Sequence, residues 1–123
     1  MSILARIREW MAGVSPPTDK GPPPGMYESP LDKISNRVLD AIEERDYSKA
    51  EKLCERLLRE YPKMPDGHDR LGYLREAQGR FQDAAEEYSK LLEMLQHAPE
   101  GPDQEMIQYF MEKRDEARAK AKG

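Results

Sequence analysis

The sequence predicts an all-α stack of helical hairpins, and three observations carry that expectation. The segment DYSKAEKLCERLL returns as RFQDAAEEYSKLL at a spacing of 34 residues, aligning Tyr47 with Phe81, Ala50 with Ala84, Cys54 with Tyr88, Leu57 with Leu91 and Leu58 with Leu92. A period of this size, with small, aromatic and aliphatic positions in fixed register, marks a repeated pair of helices. Charged residues make up 36% of the chain and hydrophobic ones 37%, and the charges alternate in sign (EERDYSKAEK). That balance suits an elongated array with solvated helix faces better than a deep core. Finally, Pro62, Pro65, Gly79, Pro99, Gly101 and Pro102 fall between the periodic segments, where turns are needed.

Each element follows in order. Ile3, Leu4, Ile7, Trp10, Met11 and Val14 recur at helical spacing opposite Arg6, Arg8 and Glu9, so residues 1–14 read as a short amphipathic helix. Residues 15–29 hold five prolines and two glycines and read as a semi-extended linker. Ser29-Pro30-Leu31-Asp32 is a helix start, with a capping serine, a proline at the first position and an acid in the first turn. The expected helices are about 30–44, 47–61, 65–78, 81–97 and 102–121. Their inward residues are Ile34, Val38, Ala41 and Ile42; then Ala50, Leu53, Cys54, Leu57, Leu58 and Tyr61; then Leu71 and Leu74; then Phe81, Ala84, Ala85, Tyr88, Leu91, Leu92 and Leu95. The last helix has Met106, Ile107, Phe110 and Met111 in its first half only, so its second half is expected to project into solvent or touch something outside this chain. Residues 30–123 form the expected repeat domain.

The chemistry-bearing residues are sparse. The two histidines, His68 and His97, have no metal-ligand partner three or four residues on. No nucleophile–base motif, phosphate loop or Cys/His cluster occurs. The expectation is a non-enzyme without cofactor or metal. The net charge of −4 lacks the basic stripe that phosphate backbones require, so nucleic acid is not an expected partner. The one cysteine, Cys54, forbids an intrachain disulfide and reads as a small buried side chain. A cytoplasmic setting is expected. MSILARIREWMAGV does not read as a secretory leader, because Arg6, Arg8 and Glu9 interrupt its apolar core, and no stretch is long and apolar enough to span a bilayer. PPPGMY lacks the PxxP core with a flanking base that polyproline readers take, so the linker reads as a spacer.

These residues resemble the tetratricopeptide repeat family. Leu71-Gly72 resembles its Leu-Gly pair, Gly79-Arg80-Phe81 its turn, and Ala84, Tyr88 and Leu91 its later small, aromatic and apolar positions. Pro99 resembles the terminal proline but comes three residues late, so the fourth helix should be about one turn longer than usual. In the first repeat Asp46-Tyr47, Ala50, Leu57 and Pro62 fit, while Arg37 and Val38 replace the Leu-Gly pair. His68 and Arg75 replace bulky residues, which implies loose packing of the third helix. The repeats span about 31–64 and 65–98, and residues 102–121 resemble the capping helix that closes such arrays.

The resemblance implies a right-handed stack whose first helices line a concave groove that holds a peptide or helix of another protein. The implied lining is Ser35, Asn36, Leu39 and Glu43, then Asp69, Arg70, Tyr73, Glu76 and Ala77. Leu39 and Tyr73 lie off the inward faces of their helices, as binding anchors do. Ser35 and Leu39 stand where the family's carboxylate-clamping receptors carry polar residues, so that clamp is absent. The N-terminal helix has three readings. Ile3, Ile7, Trp10 and Met11 could meet a membrane surface, dock on this chain or a second copy, or be recognised by a partner. Packing on protein is favoured, because two repeats and a cap leave an outer face to cover. The alternative function is therefore a self-assembling or membrane-peripheral protein acting through this helix.

Overall fold

The computed structural model describes residues 28–123. The expected N-terminal helix, with Ile3, Ile7, Trp10 and Met11, lies outside the described residues, as does the proline-rich stretch up to Tyr27. The described chain is all-helical: α1 Pro30–Glu43, α2 Tyr47–Glu60, α3 Asp66–Ala77, α4 Phe81–Gln96 and α5 Gln104–Ala121. Each helix packs on the next, and α1 also lies against α3, which is the contact that turns two hairpins into a stack.

Local signals place the boundaries. The Ser29 hydroxyl accepts from the Asp32 amide at 3.1 Å while the Ser29 amide donates to the Asp32 carboxylate at 3.4 Å, a reciprocal cap. Asp46 caps α2 by accepting from the Lys49 amide, and Asp103 caps α5 by accepting from the Glu105 and Met106 amides. α4 has 16 residues against 14 for α2. The late proline therefore lengthens it by about half a turn rather than a full one.

The two turns inside the hairpins repeat one another atom for atom. Asp46 N donates to Ala41 O at 2.8 Å and Arg45 N to Ile42 O at 3.0 Å. One period later, Arg80 N donates to Arg75 O at 2.7 Å and Gly79 N to Glu76 O at 3.0 Å. This closure puts one residue in the left-handed region. Gly79 takes it at φ 75°, but in the first hairpin the position falls to Arg45, at φ 61°.

Two buried clusters result. One joins α1, α2 and α3 through residues such as Val38, Cys54, Leu57 and Leu74. The other joins α4 and α5 through Tyr88, Leu91, Leu95, Met106 and Phe110. Glycine decides how closely the helices approach. A Cβ on Gly72 would stand 2.7 Å from the Tyr88 ring, and one on Gly67 would stand 2.6 Å from Leu58 Cδ2.

The structure corrects three expectations. α3 is not loosely held, because polar pairing replaces the missing bulk. Arg75 forms a bidentate pair with Glu51 of α2 (2.6 and 2.7 Å), and His68 Nδ1 lies 2.8 Å from Glu87 of α4. The second half of α5 does not project. Ala117 is fully buried, Lys113 lies 5.6 Å from the Tyr88 ring centroid and Lys120 lies 5.6 Å from that of Phe81. A sequence reading that counts only aliphatic and aromatic residues misses cations that cover ring faces. Met111, expected inward, is 36% exposed. It sits about 100° around the helix from Phe110, beyond the edge of the stripe.

Replacing Gly72 by Ala is expected to destabilise the chain by about 1–3 kcal/mol, because the buried Tyr88 ring has little room to yield. The two hairpin turns provide a reciprocal check by thermal melting. Gly79→Ala should cost about 1 kcal/mol, and Arg45→Gly should raise the melting temperature, since it relieves a left-handed non-glycine residue. Equal melting of Arg45→Gly and the native chain would show that the turn carries no strain.

Candidate functional site

The 34-residue register pairs the expected lining residues. Asn36 maps onto Arg70, Leu39 onto Tyr73 and Glu43 onto Ala77. Within each helix these positions are three and four residues apart, so they share a face. The structure brings the two rows together through α1 and α3. Arg70 Nε donates to Ser35 Oγ at 2.8 Å, across the junction of the two helices. Ser35, expected to line the groove, is instead buried beneath Arg70.

The rows differ in exposure. Asn36 and Glu43 are exposed on α1, Leu39 is half-buried, and Ala77 is exposed at the end of α3. Ala77 also presents its carbonyl to the Tyr47 hydroxyl at 3.5 Å. Tyr73 is 45% exposed, the most exposed large hydrophobic residue among those described. Asp69 and Arg70 are half-buried and paired at 3.2 Å. Glu76 faces the seam with α4 and α5, where it accepts from the Tyr88 hydroxyl at 2.7 Å and pairs with Lys113 at 3.4 Å.

Sequence reading did not place α5 on this face. Lys113 reaches Glu76 from α5, so the cap continues the row of α1 and α3. One turn before Lys113, Tyr109 shares its side of α5, whereas Met111, two residues before Lys113, points about 160° away from it. Tyr109, 39% exposed, stands beside Phe110 in an edge-on contact. A register of 34 could not find these residues, because the longer α4 and its loop place α5 four residues later.

The electrostatics match this geometry. Burial raises the Asp69 carboxyl from 3.8 to about 6, against the opposing pull of Arg70. Burial raises the Tyr88 hydroxyl well above the usual phenol, and its bond to the Glu76 carboxylate adds to that. Burial pushes the Cys54 thiol up to about 12, so it is a protonated packing group rather than a nucleophile. For Glu87, burial acts upward, but hydrogen bonds from His68 and Lys90 outweigh it and leave the carboxyl below its ordinary value. The Arg75 fork holds Glu51 below the ordinary value as well. Among the described residues, no group of three or more His, Cys, Asp or Glu is placed to hold a metal, and no helix is long and apolar enough to cross a membrane.

The tetratricopeptide repeat family model matches residues 41–102, just over half of the chain. The chain belongs to the tetratricopeptide repeat family. This is a family of protein-interaction modules, typically non-catalytic. No curated protein and no solved structure matches the chain.

Asp69 makes the stability of this face depend on pH. Its folded value lies above its unfolded one, so its contribution is fully present below about 4 and lost as pH rises through about 6. Urea midpoints of the native chain should therefore fall relative to Asp69→Asn across that window. Other titrating groups cancel in the difference, and a flat difference would show that Asp69 ionises freely.

Proposed function

We propose that this chain is a non-catalytic adaptor that binds a peptide or helix of another protein in the groove formed by α1 and α3. Leu39 and Tyr73 are the apolar anchors, Arg70 is the polar centre, and Asn36, Glu43, Glu76 and Ala77 form the surroundings. The observation that carries this reading is the exposure of Tyr73 between neighbours that are already tied to the scaffold. An aromatic ring on a rigid face offers contact area with little entropy left to lose. The fixed cross-links from Arg70 to Ser35 and from Glu76 to Tyr88 keep the face in shape before a partner arrives. In this proposal the adaptor acts in the cytoplasm, and its partner is a polypeptide rather than nucleic acid.

The test is selection of peptides from a random display library on the full chain, followed by affinity measurements on variants. Tyr73→Ala should weaken the selected peptides about tenfold or more, the loss typical of an interface anchor, while circular dichroism and melting stay unchanged. Peptides that bind Tyr73→Ala and Leu39→Ala as tightly as the native chain would refute the placement. Unfolding of Tyr73→Ala would make Tyr73 a core residue instead.

A further inference from the structure

The groove face has a candidate occupant within the same chain. Asn36, which opens the α1 row, donates from Nδ2 to the Glu28 carboxylate at 3.2 Å. Glu28 is the first described residue. The chain therefore arrives at α1 against the same face that Leu39 continues one turn later, and 27 residues precede that point. They include the apolar row Ile3, Ile7, Trp10 and Met11, with Arg6 and Arg8 beside it. Asp40 and Glu43 stand exposed on α1 near Leu39, so the charges are complementary.

The reach is sufficient. Thirteen residues, 15–27, separate the amphipathic segment from Glu28. At ~3.1 Å per residue a proline-rich stretch of that length spans about 40 Å. Three neighbouring helices at ~10 Å between axes present a face only about 20 Å across. The segment can lie across Leu39, Tyr73 and Tyr109 without straining the tether.

We infer that residues 3–14 occupy the α1–α3–α5 face of their own chain and compete there with the partner. This rests on the groove reading above and adds a regulatory element to it. A partner must displace the segment, so its apparent affinity is reduced by the fraction of chains that are open. Apolar burial of Trp10 and Ile7 against Tyr73 and Tyr109 would supply the attraction, and the arginines would set the orientation.

Trp10 is the only tryptophan of the chain, so its emission reports the state of the segment. In the full chain it should be blue-shifted relative to a synthetic peptide of residues 1–16, at all concentrations where light scattering gives a monomer. Tyr73→Lys, and separately Tyr109→Lys, should return the emission to that of the peptide. Emission already equal to the peptide's would overturn the inference. So would a blue shift that persists in both variants, or one that grows only with a dimer, the latter assigning the segment to a second copy.

A second measurement separates this inference from the groove itself. The labelled 1–16 peptide is titrated into the full chain and into an Ile7→Asp, Trp10→Asp chain. The disabled chain should bind about tenfold or more tightly than the native one, with Tyr73→Lys abolishing the gain. Equal, Tyr73-dependent binding to both would leave the groove standing and overturn self-occupation. Binding to neither would overturn the inference.

Discussion

The architecture depends on the contact between Gly72 and Tyr88. The Tyr88 ring is 1% exposed and meets α3 at Gly72, where no side chain larger than hydrogen fits. On its other side the ring faces Phe110 of α5, with centroids 6.3 Å apart. Its hydroxyl is satisfied by Glu76, and Lys113 joins the same carboxylate while covering the ring. One residue thus sets the spacing of α3, α4 and α5. A buried phenol needs a partner for its hydroxyl, and that need fixes Glu76 and hence the rotation of α3 that turns Tyr73 outward.

The first repeat reaches a comparable arrangement by other means. Its register equivalents of Gly72 and Tyr88 are Val38 and Cys54, both fully buried. A larger residue on α1 faces a smaller one on α2, so the volume across the seam is redistributed in the way cores tolerate best. Where the second repeat lacks bulk, polar pairs cross the seams instead. The Arg75 fork on Glu51 links α3 to α2, and His68 on Glu87 links α3 to α4. Such pairs specify geometry more than they add stability.

The buried polar groups serve the stack: Ser35 holds Arg70, Glu76 holds Tyr88, and Cys54 is protonated filler. The large apolar side chains that remain most exposed, Tyr73, Tyr109 and Met111, belong to first helices or the cap and not to α2 or α4.

The sequence by itself determined the five described helices, their ends and the repeat. Caps, prolines and the apolar period are local signals, and they place every boundary within two residues of the observed one. It also placed Tyr73 off the inward stripe of α3, where the residue is exposed, because helical periodicity tells which residues leave that stripe. Tertiary structure alone decided what the polar residues do. Ser35 went under Arg70, Glu76 into the Tyr88 seam, and Lys113 and Lys120 onto aromatic rings, while Met111 came out to the surface. Long polar side chains can satisfy themselves in water or across a seam, and only the neighbouring helix settles which. The phase of α5 was likewise undetermined, because it follows from the length of α4 and its loop, which no repeat period encodes.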